Sequence, residues 1–481
     1  MNFFINRAMG IGNSGVEHAQ FYRAKLFERV NLPYKYIFTG LVKELSEAME
    51  HWELKQNQVI DIWEFFTFGK KIVETGVVRK NERLDKIFKD NSETHRIVQT
   101  LTSTGMLIRE HIEKSPNPKD TNLLLVSRYK IEIFDFETGK RKIMFNEYRH
   151  PRRGRILENI HVYDFEGENL FFKNEVLFQR YFFECLDELF SEKNTFILDR
   201  GEEPEVALFH HKYLDCNLIE VIHADHLGDR AVLSAPMWNN YYEYLLTHID
   251  AADRVVVSTE LQREDFLVDF PNKDEKFVTI PVGGIRDKEY SVIDFSKFKK
   301  KPTRFMTASR LASEKHIDIA IKAFVSLHED YPDIIFDIYG QGVEEGKLQQ
   351  MITELQASDY ICLKGHSNNL EEVYKKYDVF ISASYSEGFG LTYIEALDAG
   401  LPIVTFKARF GAMELIKNGE NGYLRDFSRQ DEEFSARQLA FGLQEILKRY
   451  YPKLKKSTIT SVEQFQDHVI AEKWRRMLDG L

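Results

Sequence analysis

Apolar and polar positions follow three textures along the chain. The first opens on a strand-like run, Phe3 to Met9, and the turn Gly10-Ile11-Gly12-Asn13-Ser14-Gly15. Apolar positions then recur at helical spacing from Val16 to Arg29, and Tyr36-Ile37-Phe38-Thr39-Gly40 reads again as strand. Strand, glycine turn, helix and strand in that order predict the start of a parallel α/β sheet. From about residue 75 the texture changes. Leu123 to Phe136 is rich in Val, Ile, Tyr and Phe, turns at Glu137-Thr138-Gly139-Lys140, and returns through Arg141 to Tyr148. Ile160 to Phe165, the turn Glu166-Gly167-Glu168-Asn169 and Leu170 to Lys173 repeat the scheme. Two hairpins with glycine-containing turns predict an antiparallel meander inserted over roughly 75–172.

The α/β texture resumes with a helix near Glu175 to Phe190. Strands are then expected at Thr195 to Arg200, Leu218 to His223 and Arg254 to Ser258. The charged, proline-ended segment Lys297-Phe298-Lys299-Lys300-Lys301-Pro302 reads as a linker. Beyond it five strands are predicted, at Arg304 to Ala308, Ile334 to Tyr339, Ile361 to Lys364, Val379 to Ala383 and Pro402 to Phe406, with helices between them. That is a second doubly wound unit, and Val462 to Leu478 closes the chain as a helix. Ligands of such sheets sit at the carboxyl ends of the strands, so a site is expected in a cleft between two α/β halves.

The chain has 481 residues, enough for two to four domains with real cores. Hydrophobic residues make up 43% and charged residues 29%, which excludes global disorder. Lys plus Arg is 65 and Asp plus Glu is 76, for a net charge of −11, so a protein built to coat nucleic acid is not expected. Cys185, Cys216 and Cys362 match no metal or disulfide spacing, as suits a reducing compartment. No run of about 18 apolar residues predicts a membrane span, and Met1-Asn2-Phe3-Phe4-Ile5-Asn6-Arg7 lacks the pattern of a secretory signal.

Four places carry candidate chemistry. Ser384-Tyr385-Ser386-Glu387-Gly388-Phe389-Gly390-Leu391-Thr392-Tyr393-Ile394-Glu395 follows a buried strand. Its glycines let backbone approach a ligand, and a helix starting near Leu391 would offer free N–H groups and a positive dipole. Glu387 and Glu395 lie eight residues apart on this loop and helix; a capping acid and a solvated helix residue are the plain alternative. Ser309-Arg310-Leu311-Ala312-Ser313-Glu314-Lys315 also follows a strand and is expected to open a helix. Its two cations could clamp a diphosphate or simply be solvated. Gly10, Gly12 and Gly15 have dinucleotide-fingerprint spacing, but Phe38-Thr39 stands where the partner acid belongs, so contact with a phosphate or sugar is the other reading. In Val221-Ile222-His223-Ala224-Asp225-His226 the histidines lack a third metal ligand at suitable spacing, leaving packing or ligand contact.

At these places the sequence resembles the retaining GT-B glycosyltransferases of family 4. The carriers are E-G-F-G-L-T-Y-I-E-A, with Glu387 and Glu395, and the Arg310/Lys315 pair. The runs G-I-G-N-S-G-V-E-H-A-Q-F-Y-R-A, V-I-H-A-D-H, W-N-N-Y-Y-E-Y and T-A-S-R-L-A-S-E-K-H-I-D are closer still to the GtfA-type protein O-glycosyltransferases of accessory secretion systems, whose relatives glycosylate wall teichoic acid. The resemblance implies two Rossmann-like domains facing a cleft. They would span 1–74 with 173–296 (acceptor side) and 297–460 (nucleotide-sugar side), with the meander at 75–172. The helix at 461–481 would pack back on the first domain. It implies transfer of N-acetylglucosamine or glucose from a UDP-sugar to Ser/Thr hydroxyls of a serine-rich exported adhesin; a teichoic-acid transferase, to which Arg149, Arg152, Arg153 and Arg155 would suit, or a non-catalytic partner subunit are the rivals. By the same resemblance Arg310 and Lys315 would hold the diphosphate and Glu395 the ribose. Glu387, Gly388, Phe389, Gly390 and Leu391 would line the sugar pocket, His226 and His223 would meet the transferred sugar, and Gly365, His366 and Ser367 the uracil. Gly15, Val16, Glu17 and His18 would meet the donor from the other half. No metal or other cofactor is expected. Expected partners are a Ser/Thr-rich acceptor protein and a GtfB-like co-subunit or a second copy bound through the meander, with no nucleic acid, at most peripheral membrane association, and a cytoplasmic location.

Overall fold

A computed structural model describes the chain except residues 13–14, 79, 152–153, 191–192, 202, 210–213, 230–234, 291–297 and 300. Asn13 and Ser14 of the glycine turn, Arg152 and Arg153 of the basic hairpin, and Lys297 and Lys300 of the charged segment therefore lie outside the described residues. The chain divides into two compact units. One comprises Met1–Ala24, Asn31–Val221 and Trp238–Val255; the other comprises Lys25–Val30, Ile222–Met237 and Val256–Leu481. Among the described residues no helix is long and apolar enough to cross a membrane.

The first unit contains a parallel run of strands in the order Cys216–Val221, Asn194–Leu198, Asn2–Asn6, Tyr34–Phe38 and Val59–Asp61. Phe3, Phe4 and Ile5 are buried on both faces, which is why this strand reads as a continuous apolar run and not as an alternation. The insertion is a seven-stranded antiparallel sheet from Leu84–Asn91 to Glu168–Asn174, each strand beside its sequence neighbour. Its inner face (Ile108, Ile131, Ile133, Ile143, Phe145, Ile160 and Val162) packs on the helices Ile62–Phe68 and Glu175–Leu189. Trp63 meets Phe145 at 4.8 Å and Phe178 at 5.2 Å between ring centroids, and Phe66 meets Phe165 at 4.9 Å. The two predicted hairpins are present. Three further strands, Leu84–Asn91, His95–Leu101 and Met106–Asn117, extend the sheet ahead of them. Leu84–Asn91 is exposed along almost its whole length, Leu84 and Phe88 included, and its apolar residues Leu84, Ile87 and Phe88 follow no alternation to read.

Glu205 and Glu220 are among the buried carboxyls of this unit. Glu205, on the helix Glu203–Phe209, is pushed up to about 8 by burial. Glu220, on Cys216–Val221, is raised by burial first and then by the charges of Glu205 and Asp199. Asp199 pairs with Arg23, whose guanidinium donates to both its oxygens, at 3.1 and 2.5 Å, and it also accepts from Gln20 at 2.7 Å. A carboxyl whose pKa is higher in the folded than the unfolded chain binds its proton more tightly when folded. Stability is therefore greatest below the unfolded value near 4.5 and is lost as pH rises toward 8. Glu205→Gln stays neutral at every pH. Thermal melts should show its advantage over the parent growing between pH 5 and pH 8, and an equal difference at both pH values would remove Glu205 as the cause.

The second unit is built on six parallel strands in the order Ile361–Gly365, Ile335–Tyr339, Arg304–Ala308, Val379–Ile381, Ile403–Phe406 and Gly422–Arg425. The first five match the predicted strands to within two residues at each end. Gly422–Arg425 was not predicted, since four residues with Gly and Arg give no apolar run. Helices Ile317–His328 and Glu432–Lys448 bury Phe324, Leu439 and Leu443 in its core. The closing helix Asp467–Asp479 belongs to this unit, where Trp474 packs on Phe27 at 5.6 Å.

Candidate functional site

The loops after three adjacent strands of the second unit are knitted together by backbone. Ser309 N–H donates to Tyr339 O (3.1 Å), Leu311 N–H to Gln341 O (3.0 Å) and Gly340 N–H to Gly365 O (2.9 Å). The approach is so close that a Cβ on Gly340 would lie 1.8 Å from Ser309 O, and one on Gly342 2.2 Å from Leu311 O. The result is a rigid floor at the carboxyl ends of the strands, where open α/β sheets bind ligands. The sequence reading did not single out Gly340-Gln341-Gly342; a Gly-x-Gly directly after an apolar strand was the signal for it.

Arg310 and Lys315 rise from this floor. The helix does not open directly after Arg310: a single 3₁₀ turn, Ser313–Lys315, comes first. His316 then takes a left-handed conformation (φ +46°), and the α-helix runs Ile317–His328. His316 stacks on Tyr385 at 3.9 Å, which fixes the end of the turn. The two cations take different partners. The Arg310 side chain is 75% exposed and donates to Glu314 at 2.9 Å. The Lys315 ammonium is 20% exposed and donates to Glu387 Oε1 at 2.5 Å, and Glu387 itself is 17% exposed. The first pair is a surface pair of small worth; the second is largely withdrawn from water, where charge interactions are stronger.

Glu387 is held by a short parallel pairing of Ser386–Glu387 with Arg409–Phe410. Close approaches then position the loop. A Cβ on Gly388 would meet His223 O at 2.3 Å, and one on Gly411 would meet Phe389 O at 1.9 Å. Gly390, at φ +86°, is the N-cap of the helix Leu391–Asp398 and leaves its first N–H groups without a side-chain cap. Phe389 is buried and Leu391 half-buried, with its side chain against Gly283. One turn along, Glu395 accepts from the Tyr374 hydroxyl at 3.0 Å. Its carboxyl keeps an edge exposed to solvent, yet the crowding around it raises its pKa, against the effect of the Tyr374 bond. Gly365 is left-handed (φ +71°), His366 shares a 2.8 Å hydrogen bond with Asn368, and Ser367 Oγ accepts from Asn369 N–H at 3.3 Å.

The histidine loop belongs to the same unit. His223 is half-buried with its carbonyl against Gly388, and Asp225 accepts from Arg409 at 3.1 Å and from Leu227 N–H at 3.0 Å. His226 has no exposed surface. Its ring is sandwiched by Phe266 at 3.7 Å and Phe410 at 5.8 Å, so in this structure it packs the loop and offers no face to a ligand. The remaining candidates lie in the first unit. Gly15 begins the helix Gly15–Arg29 and is exposed, and Val16 is half-buried. Glu17 is buried, accepting from Asn6 at 3.0 Å with Arg200 at 3.7 Å. His18 stands edge-on to Trp52 at 5.3 Å, and burial pushes its pKa down.

The structure thus brings together Lys315 with Glu387, and Gly388 with His223. Arg310 turns to Glu314, and His226 faces inward. A cation, an uncapped helix start and a glycine-lined floor at strand ends have the chemistry that suits a phosphorylated ligand, and the carboxylate beside them has the chemistry to accept from hydroxyls.

The chain is similar to known glycosyltransferases. Residues 291–453 match the family described as glycosyl transferases group 1. The UDP-N-acetylglucosamine–peptide N-acetylglucosaminyltransferase GtfA subunit of Streptococcus pneumoniae serotype 4 is 33% identical over 450 residues, which cover 87% of each chain. The crystal structure of the pneumococcal O-GlcNAc transferase GtfA in complex with UDP and GlcNAc is similar at TM-score 0.75 and 28% identity, over 100% of this chain and 98% of that one. The crystal structure of a GtfA/B complex is similar at TM-score 0.78 and 26% identity, over 100% and 99%.

Proposed function

This chain belongs to the GtfA family of UDP-N-acetylglucosamine–peptide N-acetylglucosaminyltransferases, with the GT-B fold and an inserted antiparallel meander, and on that premise we propose that it moves N-acetylglucosamine from UDP to Ser/Thr hydroxyls of an exported, serine-rich protein. The observation that carries the reading is the Lys315–Glu387 pair at the start of the helix Leu391–Asp398. In this proposal Lys315 and Arg310 neutralise the diphosphate as it leaves, each exchanging a carboxylate for a phosphate oxygen. Glu387 holds sugar hydroxyls, and Gly388, Phe389, Gly390 and Leu391 shape the pocket. Glu395 takes the ribose, and Gly365, His366 and Ser367 the uracil. Gly15, Val16, Glu17 and His18 meet the donor from the other half, with Glu17 fixed by its hydrogen bond from Asn6. His223, which keeps exposed surface, meets the transferred sugar; His226 supports it from behind.

The C–O bond to UDP breaks and the bond to the acceptor oxygen forms on the same face of the sugar. The acceptor proton passes to a phosphate oxygen of the departing UDP. The basic pair and helix start stabilise that charge, so no divalent metal is invoked. A second subunit, as in the GtfA/B complex, presents the acceptor, and the reaction takes place in the cytoplasm before export. The test is UDP release and sugar transfer from UDP-N-acetylglucosamine and UDP-glucose, offered separately, with a serine-rich peptide and poly(ribitol phosphate) as competing acceptors, with and without chelator. Transfer to the peptide from UDP-N-acetylglucosamine, undiminished by chelator, is expected. Transfer only to the polyol phosphate would make it a teichoic-acid enzyme, and no UDP release from either donor would make it a non-catalytic subunit.

A further inference from the structure

The second unit carries a feature that transfer chemistry does not use. Between Glu445 and Glu463 the sequence has five cations, Lys448, Arg449, Lys453, Lys455 and Lys456, and no acid, in a chain whose net charge is −11. Lys448, Arg449, Lys453 and Lys456 are exposed. Two large rings are exposed among them: Tyr450 keeps 70% of its surface and Phe441, two helical turns before Lys448, keeps 53%. Neighbouring segments add to the same surface. Arg449 donates to the Tyr423 hydroxyl at 2.8 Å and lies over Gly419, beside exposed Lys417. Lys455 lies 5.4 Å from the Phe298 ring, next to exposed Lys299 and Lys301. Among the described residues, three acids lie beside these cations. Glu420 is exposed and Glu445 half-exposed, while Asp378 is buried and pairs with Lys299 at 3.3 Å.

All these groups lie at one end of the sheet. The Tyr451 hydroxyl donates to Asp378 O at 2.6 Å, just before the strand Val379–Ile381, and Asn421 O accepts from Ile403 N–H at the start of Ile403–Phe406. These are the amino ends of the strands, whereas Lys315, Glu387 and the Gly340 floor lie at the carboxyl ends. Lysines and arginines near an anionic bilayer contribute about 1 kcal/mol each, and Tyr sits favourably at the headgroup level. A net negative chain gains nothing from that field as a whole, so a local basic patch fixes which face turns to the lipid.

We propose that this amino-end surface, formed by Lys417, Lys448, Arg449, Tyr450, Lys453 and Lys456, is a docking site for anionic phospholipid headgroups and holds the donor-binding end of the unit facing away from the bilayer. Docking does not require the transferase reading, and the assay separates the two. The full chain is sedimented with vesicles of phosphatidylcholine alone and of phosphatidylcholine mixed with phosphatidylglycerol, at low and high salt, while UDP release from UDP-N-acetylglucosamine is measured in solution. Binding to the anionic vesicles only, weakened by salt, is expected. The double charge reversal K453E/K456E should lower the partition coefficient at least about tenfold, and Tyr450→Ser should lower it at both salt concentrations. Neither should change UDP release, which also reports that the variants are folded. Equal binding to neutral vesicles, or anionic binding untouched by K453E/K456E, would overturn the proposal. If inorganic polyphosphate were bound as tightly as the vesicles and Tyr450→Ser had no effect, the surface would be a general polyanion site and not a lipid one.

Discussion

Lys315→Ala is expected to lower turnover of UDP-N-acetylglucosamine by more than about tenfold, because a charged contact to a departing diphosphate is worth more than about 1.4 kcal/mol. The geometry makes Lys315 the more demanding of the two cations. It is four-fifths withdrawn from solvent, its ammonium is aligned by Glu387 at 2.5 Å, and it sits on a turn pinned by the His316–Tyr385 stack. Arg310 is three-quarters exposed and must swing from Glu314, so Arg310→Ala should fall in the same direction through a longer reach. Loss of Lys315 also leaves Glu387 without its counter-charge in a partly dry place, which disfavours a second negative group there. Initial-rate UDP release at saturating donor, beside a thermal melt, checks the point. A fold-stable Lys315→Ala enzyme with near-parental turnover would rule out the diphosphate role.

The second large effect falls on Gly340. Its φ of +139° is a region that side chains avoid, and an added Cβ would lie 1.8 Å from Ser309 O, a backbone atom that cannot rotate aside. Gly340→Ala must therefore break the Ser309–Tyr339 or the Gly340–Gly365 hydrogen bond, or both. We expect a loss of roughly 3 kcal/mol or more in stability, from strain combined with broken backbone bonds, and a donor affinity too weak to measure. Gly346→Ala is the matched control. It lies in the helix Glu345–Glu354 with open space around its Cβ position, and alanine there should be neutral or stabilising by up to about 1 kcal/mol. Denaturant melts of the two variants should differ in sign or in size; similar melts would show that the floor is not rigid.

The parallel strands were legible because a strand buried on both faces must be apolar throughout, as Phe3-Phe4-Ile5 and Ile403-Val404 are. The helix start at Leu391 was legible from its glycines. The first three meander strands were not: Leu84–Asn91 is exposed, and in His95–Leu101 and Met106–Asn117 buried positions are held by polar residues such as Gln99, Thr100 and Glu110, which breaks up the apolar period. Nor could sequence show that Lys315 would choose Glu387, 72 residues away, over the neighbouring Glu314, or that His226 would turn inward between Phe266 and Phe410. Those choices depend on which loops the sheet brings to one edge, and only tertiary structure decides that.

The aromatic seam beneath the meander bears on inheritance. Trp63, Phe65 and Phe66, on a seven-residue helix outside the inserted sheet, are buried, and Phe145 and Phe165 of the sheet, with Phe178 of the following helix, pack against them. A recombination that exchanged the inserted sheet alone between relatives would pair each ring with a stranger's cavity. The smallest segment that can be traded without repacking is the sheet together with both helices that flank it, from about Ile62 to Leu189.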